Sequence, residues 1–217
     1  MKRIYILCEG QTEEDFINIV LYPYFYNVGI IATPIICTTK RTHTKKHKGG
    51  LSTFGKIEKE LSRLCSEHPN EMVTTMFDLY ALPHDTPGIG NKIDDVYEKA
   101  KFIENAITEK IGNTYGNMLF NLTLHEFEGL LFSYVPAFQS ITDSNTLAVL
   151  QKIRDAVPTP EHINDSPATA PSKQILKVIP AFSKVADGID IAAEIGIFKI
   201  KSECQHFASW LDKLTNW

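Results

Sequence analysis

Residues 3–20 read RIYILCEGQTEEDFINIV. The β-forming run 3–8 stops at Glu9-Gly10, and an apolar-periodic segment follows at once. A continuous apolar run marks a strand covered on both faces, as in a parallel sheet. The spacing predicts a helix over 11–26, with Thr12 as N-cap and the acids Glu13, Glu14 and Asp15 in its first turn. Gly10 fits a tight strand-to-helix turn between the two. Folding alone gives no reason for a carboxylate at the tip of the strand, with Glu13 four residues on.

The same alternation continues downstream. Strands are predicted over 30–38, over 71–78 (EMVTTMFD) and over 117–124, and helices over 52–67 and 92–111. LYALPHDTPGIGN, 79–91, is a Pro/Gly loop, and HEFEGLLFSY, 125–134, starts a short helix or turn. Strands alternating with helices indicate an α/β fold with a mostly parallel, Rossmann-like sheet flanked by helices and right-handed crossovers. Beyond 135 the chain reads as helices over 146–157, 173–186, 189–195 and 199–214, the first two joined by VPTPEHINDSPATAPSK. The expected organisation is an α/β domain over 1–135 and a helical C-terminal extension over 136–217 packed on it.

With 217 residues, 43% hydrophobic and 22% charged, the chain can bury a core without disulfide staples. Its net charge of -4 excludes a polycation, so a nucleic-acid contact must come from a local patch. KRTHTKKHKGG, 40–50, offers one: Lys40, Arg41, Lys45, Lys46 and Lys48 with no acid among them. Such a loop suits sequence-independent contact with a phosphate backbone, and a solvated loop is the plainer reading. Cys8, Cys37, Cys65 and Cys204 form no C-x-x-C pair, which argues against a zinc ribbon and for a reducing cytosol. No run approaches the roughly 20 apolar residues of a membrane span. The expectation is a cytoplasmic protein without membrane contact.

In open α/β sheets, ligands bind beyond the carboxyl ends of the strands. Acids stand there at the ends of the first, third and fourth predicted strands: Glu9, Asp78, and the pair Glu126 and Glu128. Gathered carboxylates repel, and a hard divalent cation removes that repulsion. Mg²⁺ or Mn²⁺ held by Glu9, Glu13, Asp78, Glu126 and Glu128 would suit attack on a phosphodiester. Glu14 and Asp15 are read as ordinary helix N-terminal acids. Lys173 in PSK, at a predicted helix start, suits contact with a scissile phosphate, or is a surface lysine beside an N-cap Ser172. His125 is a secondary acid/base candidate, and His43 and His47 lack a third ligand. The P-loop pattern is absent. Cys204 and His206, two apart on the predicted last helix, are expected on different faces.

CEGQTEEDF, TTMFDLYALP, LHEFEGLLF, PSK and IGIFKIKSECQHFASWL, in that order, resemble the bacterial family catalogued as domain of unknown function 4276. That family resembles TOPRIM domains, the metal-binding fold of topoisomerases, primases and overcoming-lysogenization-defect (OLD) nucleases. The resemblance implies a TOPRIM-like fold and a nuclease subunit working with an AAA/ABC-type ATPase in anti-phage defence. It implies Glu9 as the first-strand glutamate, Glu13 as the second glutamate of OLD-type members, and Asp78 as the first acid of Asp-x-Asp. Tyr80 stands where that pattern has its second acid, with Asp85 as a possible substitute. Two other classes compete with a Mg²⁺- or Mn²⁺-dependent nuclease of DNA or RNA. One is a catalytically degenerate module that binds an ATPase or nucleic acid, which Tyr80 favours. The other is phosphoryl transfer to a small molecule, which would not need the basic loop.

Overall fold

The computed structural model describes residues 1–37, 53–163 and 169–217. β1 (Lys2–Cys8) lies in the middle of a parallel sheet, between β2 (Ile30–Ile36) and β3 (Met72–Asp78). Beyond β3 come two short strands, β4 (Met118–Leu119) and β5 (Leu122–Thr123), both parallel to it. The predicted strand over 117–124 is thus divided into two pairings, and Thr75 Oγ1 fills the break by taking the Asn121 N–H and donating to the Asn121 carbonyl.

The side-chain alternation of β1 and β3 sorts the core onto two faces. Ile4, Ile6, Cys8, Met72 and Met76 meet the helix that follows β1. That helix runs as α1 (Gln11–Phe16), a π-helical turn (Ile17–Leu21) and α2 (Tyr22–Asn27). The same core includes Phe127, Leu131 and Phe138 of a kinked 3₁₀ segment (Phe127–Ser140), α5 (Ser144–Asp155), α6 (Pro171–Val178), α7 (Asp187–Ile195), α8 (Ile197–Glu203) and α9 (Gln205–Thr215). Leu7, Val73 and Phe77 point the other way, onto α3 (Phe54–Glu67) and α4 (Val96–Ile107). Helices on both faces explain why β1 is buried continuously from Ile4 to Cys8. The Trp210 indole N–H donates to Thr74 Oγ1 at 2.9 Å, so α9 is tied into the sheet by a buried polar bond as well as by packing.

Several local expectations change. The first helix is capped at Gly10, not Thr12, and Gly10 is extended at φ −160, so no special glycine turn is needed. The helix predicted over 173–186 ends at Val178, and turns at 180–181 and 184–186 lead into α7. The helix predicted over 199–214 is two helices broken at Cys204 (φ −117, ψ 94). All four cysteines are free and buried. Among the described residues no helix is long and apolar enough to cross a membrane.

Candidate metal centre

The register brings the strand ends together. Cys8 pairs with Met76, so Glu9 passes the sheet edge beside Asp78, and Asp78 pairs with Thr123. Glu9 Oε1 accepts the Asp78 backbone N–H at 2.9 Å, which links the tips of β1 and β3. Glu13 turns back toward the start of its own helix, where Oε2 accepts the Gly10 N–H at 3.0 Å. After β5 the chain passes His125, whose φ of 69 is unusual for a non-glycine residue, and enters the 3₁₀ segment. That turn places Glu126 and Glu128 at the same edge. Glu126 Oε2 accepts the Ser172 N–H at the start of α6, at 3.1 Å.

Burial drives the electrostatics. Desolvation pushes the Glu9 carboxyl up to about 7, opposed by the Asp78 N–H and reinforced by the charge of Glu13. Desolvation raises Glu13 too, against the hydrogen bonds it accepts and the charge of Lys184. Asp78 is raised well above its ordinary value by burial and then by Glu9, Glu13, Glu128 and Glu126. Part of Asp78 reaches the surface, yet its Oδ1 is buried with no hydrogen-bond partner. Glu128, 2% exposed, is raised by burial against the pull of Lys184, whose Nζ lies 2.7 Å from Oε1.

The structure therefore brings Glu9, Glu13, Asp78, Glu126 and Glu128 into one electrostatic neighbourhood. They do not form a finished ligand shell: among the described residues no three His, Cys, Asp or Glu side chains are grouped to hold a metal ion. Four of the five acids already have an oxygen engaged with a protein donor or cation, and Asp78 Oδ1 has none. An all-oxygen set with an orphaned, buried carboxylate oxygen fits a hard divalent cation.

Other candidates fall elsewhere. Lys173 is exposed on the first turn of α6, next to the N–H that holds Glu126. Asp85 does not substitute for a second acid; its Oδ1 accepts the Phe54 N–H at the start of α3. Tyr80 packs its ring on His125 with centroids 5.5 Å apart. Lys40, Arg41, Lys45, Lys46 and Lys48, with His43 and His47, lie outside the described residues. Lys184 carries no sign in the sequence: it falls at the end of the predicted helix 173–186, and no local motif connects it to Glu128, 56 positions earlier.

The model of the family described as domain of unknown function (DUF4276) matches residues 8–215, from the Cys8 before the first acid to the end of α9. The chain belongs to the DUF4276 family. No curated protein matches it. Among solved structures, this DUF4276 chain is similar to the C-terminal region of the Xanthomonas campestris pv. campestris OLD protein, in a form phased with mercury and a form phased with iodine. The first is 16% identical with a TM-score of 0.39, covering 98% of this chain and 97% of that one. The second is 15% identical with a TM-score of 0.39, covering 100% and 99%.

Proposed function

We propose that this chain is a Mg²⁺- or Mn²⁺-dependent phosphodiesterase that cuts DNA or RNA, built on a TOPRIM-like domain. The observation that carries the reading is Asp78 Oδ1, buried and unpartnered among carboxylates whose protonation is favoured by burial and mutual repulsion. No donor among the described residues gives that oxygen a hydrogen bond, and a bound cation would supply the missing partner. Glu9, Glu13, Asp78, Glu126 and Glu128 would hold the cation. When bound, it would polarise a phosphoryl oxygen and lower the pKa of a water.

The chain's own groups do the rest. The hydrogen bond from Asp78 N–H fixes Glu9 at the sheet edge, and the Gly10 N–H fixes Glu13, so both carboxylates are positioned before substrate arrives. Lys173 extends from the rim at the start of α6, where its ammonium suits a phosphate oxygen of the substrate. Lys40, Arg41, Lys45, Lys46 and Lys48 would hold the backbone of the nucleic acid. The family resemblance supports an AAA/ABC-type ATPase partner and a role in anti-phage defence, in the cytoplasm.

The test is cleavage of plasmid, single-stranded DNA and RNA with Mg²⁺ or Mn²⁺, with and without an ATPase encoded beside this chain. Wild type is compared with Glu9→Gln. Metal-dependent cutting lost in the variant supports the hydrolase. A folded, partner-bound wild type that cuts nothing would favour a second reading, a binding module without catalysis. The observation behind that second reading is Tyr80, which packs on His125 at the position of the second acid.

A further inference from the structure

Lys184 lies in the link between α6 and α7, and its backbone is held on both sides. Phe182 is buried in the core. The Ser183 N–H donates to Asp187 Oδ2 at 2.7 Å, and the Ala186 N–H donates to Ser183 Oγ. The side chain, 44% exposed, enters the acidic site from solvent and ends 2.7 Å from Glu128 Oε1. Its charge also acts on Glu13, Glu126 and Asp78.

Glu128 is almost wholly buried, and an unpaired carboxylate there is strongly disfavoured. An ammonium is a compact point charge on a flexible stem, and a lysine reaching in from water can leave by the same route. A divalent cation carries twice its charge and takes the same oxygen donors. An ammonium and a divalent ion against one carboxylate oxygen repel each other.

We propose that Lys184 is a displaceable counter-ion: it holds Glu128 out of the ligand set in the metal-free chain and swings to solvent when a divalent cation enters. This explains why the acids share one neighbourhood yet do not form a ready ligand group. The inference rests on the metal-site reading above.

Calorimetric titration of the full chain with Mn²⁺ tests it. Lys184→Met should bind Mn²⁺ roughly 3- to 10-fold more tightly than wild type, because the competitor is gone. In a Glu128→Gln background the same substitution should gain much less, since the contested oxygen no longer carries charge. An equal gain there means a diffuse field and overturns displacement. An unchanged or weaker affinity in Lys184→Met also overturns it, while wild-type binding keeps the metal site itself. Absence of Mn²⁺ binding in wild type and variant alike overturns both readings. The wild-type chain gives a test that needs no variant: acylation of the Lys184 amine, followed by peptide mass, should speed up severalfold on saturation with Mg²⁺. A rate that Mg²⁺-saturated protein leaves unchanged overturns the proposal.

Discussion

At the C-terminal edge of the sheet, burial raises Glu9, Glu13, Asp78 and Glu128, repulsion from neighbouring acids adds to it at Glu9, Asp78 and Glu128, and one Asp78 oxygen has no hydrogen-bond partner. Behind it, Glu104 and Glu161 are just as enclosed but surrounded by donors. Glu104 Oε1 takes the Leu122 N–H at 2.8 Å and pairs with His206 Nε2 at 2.9 Å. Glu161 accepts the N–H groups of His206 and Phe207 and the Tyr97 hydroxyl, all within 3.0 Å. The second group joins α4, β5 and α9 to the short 3₁₀ turn Pro160–His162. The lesson is that burial of an acid says little by itself. A donor set completed by the fold indicates a structural acid, and an incomplete one indicates a site that awaits a ligand.

That contrast can be broken at its structural end first. Glu161→Ala leaves three donors without their acceptor and should destabilise the chain by about 3–5 kcal/mol in urea unfolding. A loss below about 1 kcal/mol would mean the network is not structural. At the other end, raising the pH should weaken the metal-free protein. Glu9 binds its proton more tightly folded, near 7, than at its ordinary 4.5, so the folded state holds more protons between those values. Stability must then fall as pH rises through that window, by roughly 5 °C in Tm, and Mn²⁺ should restore it above pH 7. A Tm that climbs across the window without metal would contradict the crowding of these acids.

Asp78→Asn sharpens the comparison further. It removes a buried charge from a repelling group, so the metal-free chain should gain about 1 kcal/mol while its Mn²⁺-induced Tm shift disappears. The smallest effect is expected at His206. Its pKa is raised: desolvation opposes the charged form, but the hydrogen bond and charge of Glu104, with Glu161, outweigh it. Its stabilising contribution is therefore whole below its ordinary value of 6.5 and is lost as pH rises through the folded value. His206→Gln should cost about 1 kcal/mol at pH 5.5 and less at pH 9. A cost that grows with pH would reverse the assignment.

The two regions also differed in legibility. Glu9, Asp78, Glu126 and Glu128 are readable because each stands at or just past the end of a strand, and a parallel sheet delivers all its strand ends to one edge. Glu104 lies inside an ordinary amphipathic helix and Glu161 in a Pro-containing link, so neither carried a local sign. Periodicity predicts one long helix through His206, and the break at Cys204 instead aims it at Glu104.

The sequence by itself determined the strand–helix alternation, the parallel sheet and the acids at its edge. Those follow from side-chain periodicity and chain order, which are local properties. Tertiary structure alone decided which oxygens are already engaged, that Asp78 Oδ1 has no partner, and that Lys184 faces Glu128 from 56 residues away. Such facts depend on distances between segments remote in the chain, and burial then sets the strength of the charges that meet there.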